Sequence, residues 1–188
     1  MPIVRLKSGP VEFNKEGAGT LFWLMRLKYA SPALMNEPRT QGFTVERKYT
    51  LENSKTPATS FTAGDMIRVT ITIHNTKERR FVAVTDPIPA GTEPVEAWFA
   101  TTSAQVANDQ AKQSARAMWW QRGGFDHIER HDDRVELFAT RLSEGAHEFS
   151  YLVRATTSGT FTAAPLRVEE MYAPEIFGRT ASESVEIK

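Results

Sequence analysis

Ile67-Arg68-Val69-Thr70-Ile71-Thr72-Ile73-His74 is the stretch that decides the fold class. Apolar and polar residues alternate strictly through it, which puts four β-branched side chains on one face and Arg68, Thr70, Thr72 and His74 on the other. A period of two is that of a strand with one face buried, and β-branched residues suit a pleated surface. The same alternation recurs on both sides. Phe43 and Val45 start a run that reaches Tyr49. Val135, Leu137 and Ala139 oppose Glu136 and Thr140, and Phe149, Tyr151, Val153 and Ala155 oppose Ser150 and Arg154. Turn chemistry separates these runs at Ala63-Gly64-Asp65, Pro89-Ala90-Gly91, Ser143-Glu144-Gly145 and Thr157-Ser158-Gly159. Short half-buried strands joined by such turns predict an all-β, antiparallel β-sandwich.

Two stretches depart from this rhythm. Leu21, Trp23, Met25, Leu27 and Tyr29 share a face and predict a small N-terminal β segment, set off from the rest by Pro32, Pro38 and Gly42. Residues 31–42 are therefore a candidate domain boundary. Between Val95 and Arg122 there is no Gly or Pro, and Ser103 to Met118 is rich in Ala, Gln and Lys with only a weak apolar stripe. That composition predicts a long, partly helical loop.

Composition removes several classes of function. The 188 residues carry 23 Lys+Arg against 23 Asp+Glu, so the formal net charge is zero. A balanced chain has no overall field to steer it onto phosphate backbones or anionic lipid, and no local basic patch stands in for one. No nucleic-acid partner and no direct membrane insertion are expected; the longest apolar stretch, near Gly19 to Met25, is far below the ~20 residues of a spanning helix. The first residues lack the apolar core of a signal peptide, so no export signal is expected within this chain. There is no cysteine, which excludes disulfides, thiolate metal sites and a cysteine nucleophile. With 40% apolar and 24% charged residues the chain has globular composition.

Catalysis or metal binding would be sought first at Asp126-His127-Ile128-Glu129-Arg130-His131-Asp132-Asp133-Arg134. The strand pattern that follows Gly123-Gly124 argues that this segment is extended. Its two His then lie roughly 13 Å apart at their Cα atoms, too far to share one zinc ion. Asp132-Asp133-Arg134 reads as a charged turn with a structural ion pair of modest value. Asp132, Asp133, Glu169 and Glu170 could be proposed as paired catalytic carboxylates, but adjacency in sequence does not supply the separated pKa values such chemistry needs. Nucleophile-elbow, phosphate-loop and zinc-protease motifs are absent. A noncatalytic chain without cofactor or metal is expected. Asp86-Pro87-Ile88-Pro89-Ala90-Gly91-Thr92-Glu93-Pro94 reads as a rigid corner. In Glu169-Glu170-Met171-Tyr172-Ala173-Pro174-Glu175-Ile176-Phe177-Gly178-Arg179, apolar side chains sit among loop signals. They are either a docking surface or a plug for one end of the sandwich, and the residues alone leave both open.

Taken together and in order, six stretches resemble the C-terminal region of bacterial alpha-2-macroglobulins. They are Gly42-Phe43-Thr44-Val45-Glu46-Arg47-Lys48-Tyr49, Gly64-Asp65-Met66-Ile67-Arg68-Val69, Thr85 to Pro94, Asp132-Asp133-Arg134-Val135-Glu136-Leu137-Phe138-Ala139, Tyr151 to Phe161, and Glu169-Glu170-Met171-Tyr172-Ala173-Pro174-Glu175. The resemblance implies that residues 42–188 form the family's last macroglobulin domain, the receptor-binding-like one, and that residues 1–37 are the terminal strands of a CUB-like domain. Two departures are visible: residues 100–122 are longer than the usual loop, and His131 stands where Arg commonly precedes Asp-Asp-Arg. Full-length members of that family are protease traps, and the chain resembles a fragment of such a broad-range endopeptidase inhibitor of the periplasm or cell envelope. Many members couple to proteases through a Cys–Gln thioester, which this cysteine-free chain cannot contain. By resemblance its partners are the thioester and neighbouring domains of its own full-length chain and, through the parent, target proteases. Met171 and Tyr172 are the implied contact that shields the thioester. The competing expectation is a free-standing adhesion or carbohydrate-binding module that stacks sugars on Trp98, Trp119 or Trp120.

Overall fold

In the computed structural model the described residues are 14–23, 37–95 and 124–188. Residues 1–32 and 33–188 form separate compact units. In the first, residues 14–23 contain no strand, and Leu21 and Trp23 are exposed there. The remainder of the expected N-terminal strand, Met25 to Tyr29, lies outside the described residues, as do the expected helical loop and Trp98, Trp119 and Trp120.

The second unit holds thirteen strands among its described residues and no helix. One sheet contains β2 (Thr44–Leu51), β4 (Met66–Asn75), β9 (Gly145–Ala155) and β6 (Thr92–Pro94), in that order and antiparallel throughout. A second orders β1 (Arg39–Gln41), β12 (Ala173–Arg179), β11 (Arg167–Glu170), β5 (Arg79–Pro87), β8 (Arg134–Leu142) and β7 (His127–Arg130). A third, smaller sheet places β13 (Glu183–Ile187) between β10 (Gly159–Ala163) and β3 (Ser60–Phe61), with β13 and β3 parallel.

β4 lies between β2 and β9, and its inward residues Ile67, Val69, Ile71 and Ile73 are at most 1% exposed. Each is worth roughly 1.5–3 kcal/mol when removed from water. Opposite them Val82, Val84, Val135, Leu137 and Leu142 of the second sheet enter the same core. Phe61, Val185 and Ile187 of the third sheet complete it. The alternation that predicts the strands therefore also predicts the core face, because neighbours along a strand cannot both point inward.

Among the short connections that carry the chain between the large sheets are those from β4 to β5 and from β8 to β9. Asn75, fully buried, ties them together: its amide nitrogen donates to the Lys77 carbonyl (2.8 Å) and the Ser143 carbonyl (2.7 Å). The proline segment is a braced corner. Ile88 N–H donates to the Asp133 carbonyl, Thr92 N–H and hydroxyl both donate to the Pro89 carbonyl, and the Gly91 carbonyl accepts from Thr156 and Thr157.

Candidate functional site

Residues 169–179 are two strands and a turn rather than a loop. β11 pairs with β12 at Glu169↔Phe177 and then at Glu170↔Ala173, so Pro174, Glu175 and Ile176 form a bulge in β12. Pro174 is tolerated there because a bulge removes the need for its missing N–H. The two readings left open by the sequence divide between side chains. Ile176 packs against the core, whereas Met171 and Tyr172 form the tip and are 52% and 80% exposed.

The tip is held from one side by Phe81. This residue has φ +51°, in the left-handed region, which is rare for a bulky side chain. Ladder pairing of β5 with β8 is recorded at Arg80↔Arg141 and Val82↔Ala139 but skips the position between. On the β7 side Thr140 N–H donates to the Asp126 carboxylate (2.6 Å), and on the β11 side the Phe81 carbonyl accepts from Met171 N–H (2.8 Å). The Phe81 ring, itself 44% exposed, meets the Tyr172 ring edge to face with centroids 5.1 Å apart. Beneath the tip, buried Arg79 reaches Glu170 (3.5 Å) and the Gly42 carbonyl (3.2 Å) and lies over the Phe43 ring. Phe81, Met171 and Tyr172 thus make one braced apolar patch. Elsewhere in residues 33–188, Leu51 is the remaining large exposed apolar side chain among the described residues.

Within the polar segment, His127–Arg130 is the extended strand β7, as its sequence predicts, and residues 131–133 turn the chain into β8. His127 lies within 3.1 Å of Glu129, and His131 contacts Glu129 (3.4 Å) and Glu136 (3.2 Å) rather than His127. Glu129 and Glu136 are direct cross-strand partners. The ligating atoms of Glu129, His131 and Glu136 all fall within 4.8 Å of one another, a spacing that could hold a metal ion. Arg134 already donates to Glu136 (3.0 Å) and Asp133 (3.0 Å), so positive charge is supplied to these carboxylates by the protein. The paired-carboxylate arrangement does not form across the two segments. Along their common neighbour β5, Glu170 aligns with Val82 and Arg134 with Pro87. Asp133, one step beyond Arg134 and opposite Ile88, and Glu170 are therefore roughly 20 Å apart along the sheet, beyond the ~10 Å limit for two carboxylates acting on one bond.

A buried polar cluster between the large sheets is absent from the sequence reading. Arg47 Nη1 donates to Asp86 Oδ1 (2.6 Å), the Tyr151 hydroxyl donates to Asp86 Oδ2 (2.7 Å), and Arg47 lies over the Tyr49 ring at 5.3 Å. Burial pushes the Asp86 carboxyl above its ordinary range, with Arg47 and the Tyr151 hydrogen bond opposing it. Burial likewise raises the Tyr151 and Tyr49 phenols. The half-buried Glu183 is raised by burial, against the pull of Arg47. A signal for this cluster exists in the sequence: Arg47 falls between Val45 and Tyr49, and Asp86 follows Val82 and Val84, so alternation places both charges on core faces.

Against known proteins, the profile of the bacterial alpha-2-macroglobulin MG10 domain matches residues 42–175. An alpha-2-macroglobulin homolog of Nostoc sp. PCC 7120 is 32% identical over 196 aligned positions, covering 96% of this chain and 10% of that protein. Circularly permutated Ras protein 2 of Dictyostelium discoideum is 26% identical over 96% of this chain, which spans 4% of its length. In three dimensions, Salmonella alpha-2-macroglobulin reacted with methylamine superposes over 84% of this chain and 10% of its own, with TM-score 0.66 and 26% identity. The chain thus spans a tenth or less of the length of these relatives. With most of its length matched by that profile, the chain belongs to the bacterial alpha-2-macroglobulin family, as its MG10 domain.

Proposed function

We propose that this chain is a noncatalytic packing domain of an alpha-2-macroglobulin-like endopeptidase inhibitor, and that Met171 and Tyr172 seat on the thioester domain of the same parent chain and keep water from its reactive bond. The observation that carries this reading is the exposed apolar tip. A large exposed apolar patch on an otherwise polar surface marks an interaction site. Here it is also fixed in shape by the Phe81 carbonyl, the Arg79 contacts and the bulge at 174–176. Apolar side chains packed over a thioester exclude the nucleophile that would hydrolyse it, and displacement of the domain would expose it. Residues 1–37 then belong to the tail of the preceding CUB-like domain, and the parent acts on target proteases in the periplasm or cell envelope.

The test is made in the full-length protein. Met171→Ala and Tyr172→Ala each raise the rate of methylamine incorporation before any protease is added, and lower the fraction of protein that remains able to trap trypsin after storage. A wild-type methylamine rate in both variants, with the fold intact, sinks the shielding role.

A further inference from the structure

Phe81 stands out because it combines features a strand residue does not normally combine. It is half-exposed, it is the non-glycine residue with φ between +20° and +160° among the described residues, and its carbonyl accepts from Met171 N–H at 2.8 Å, one step beyond the last β5–β11 pair, Val82↔Glu170. A left-handed backbone at an aromatic residue is unfavourable and persists only where its surroundings impose it. Here the backbone is held on both flanks: on the β7 side of β8, Thr140 N–H donates to the Asp126 carboxylate, and on the β11 side of β5 the Phe81 carbonyl accepts from the turn. The Phe81 ring lies on the face opposite inward Val82 and Val84, against the edge of Tyr172 at 5.1 Å and 87°. Tyr172 is 80% exposed, so its recorded ring partner restricts a side chain that is otherwise mostly in solvent.

We infer that Phe81 is a positioning residue for the Met171–Tyr172 tip: its carbonyl sets the height of the turn and its ring sets the orientation of Tyr172 before the tip meets the thioester domain. This rests on the shielding reading for its consequence, though not for its geometry. An edge-to-face pair biases a ring by roughly 2- to 10-fold, and that is the size of effect expected on any process gated by Tyr172.

The backbone and the ring are separable. Asn adopts the left-handed region readily, so Phe81→Asn keeps the carbonyl in place and removes the ring, while Phe81→Tyr keeps both. In the full-length protein, Phe81→Asn raises the methylamine rate 2- to 10-fold and Phe81→Tyr leaves it at the wild-type value. Phe81→Asn combined with Tyr172→Ala reacts no faster than Tyr172→Ala alone, a non-additivity that general loosening of the domain does not produce. Two results overturn the assignment: a wild-type rate in Phe81→Asn while Tyr172→Ala is fast, or effects that multiply in the double variant. Both leave shielding intact. If Tyr172→Ala is itself at the wild-type rate, Tyr172 has no part in shielding, and the structure of Phe81→Asn decides the positioning. A displaced Tyr172 ring supports it, and a ring in the original orientation overturns it.

Discussion

Asp86 Oδ1 lies 2.6 Å from Nη1 of Arg47, and neither side chain reaches solvent. One comes from β5 and the other from β2, so this ion pair bridges the two large sheets. Removing two charges from water is costly and is offset only while both stay paired; replacing one partner leaves the other buried and uncompensated. Asp86→Asn is therefore expected to destabilise the domain by about 3–5 kcal/mol. Arg47→Met with Asp86→Asn should recover much of that loss, because no charge is then stranded. Urea denaturation of the two single variants and the double variant measures the coupling.

The same pair makes a pH-dependence. Burial raises the Asp86 carboxyl and Arg47 opposes the rise, so Arg47→Met raises it further. Between the ordinary carboxylate value near ~4 and the raised one, the folded state keeps a proton that the unfolded state has lost. Stability contributed by this group is fully present below that window and is lost as pH rises through it. Urea midpoints of Arg47→Met should therefore fall with increasing pH more steeply than those of the wild type. Parallel profiles would show that another group controls the slope.

Gly178 is in β12, where a methyl group would overlap the Phe43 carbonyl oxygen and approach the Phe43 Cβ at 2.9 Å. The obstacle is backbone, which cannot swing aside. Gly178→Ala should cost about 1–3 kcal/mol, seen as a lower thermal midpoint. Gly64→Ala, where nothing lies within 4 Å but φ is +96°, tests strain without a clash.

Phe81 reverses the usual cost of losing an aromatic residue. Its ring is 44% exposed and its φ is +51°, so Phe81→Asn gives up an exposed contact and relieves backbone strain. We expect stability within about 1 kcal/mol of wild type. Phe81→Val places a β-branched residue in the same conformation and should cost about 2 kcal/mol. Equal costs for the two, measured by denaturation, would mean that the ring rather than the backbone sets the energetics.

The strands of the sandwich were legible because their information is local. Ile67 to Ile73, Val135 to Ala139 and Phe149 to Ala155 each state their buried face through a period of two, and the structure buries those faces. The extended form of 127–130 followed from the same pattern. By contrast, residues 169–179 carry Pro and Gly signals that read as a loop, while the neighbours β5 and β1 draw them into strands. Phe81 belongs to an unbroken apolar run, Phe81-Val82-Ala83-Val84, in which nothing announces a left-handed residue.

By itself the sequence determined the fold class, the inward side chains of its main strands, and the absence of any thiol chemistry. It also determined that Met171 and Tyr172 are apolar residues in a turn setting. Tertiary structure alone decided that Arg47 meets Asp86, that His131 meets Glu129 and Glu136 rather than His127, and that Phe81 holds the Met171–Tyr172 tip. The physical reason is that a period of two fixes which way a side chain points, whereas its partner is fixed by which strand lies across the sheet or across the core. Those neighbours are set by pairings between segments tens of residues apart.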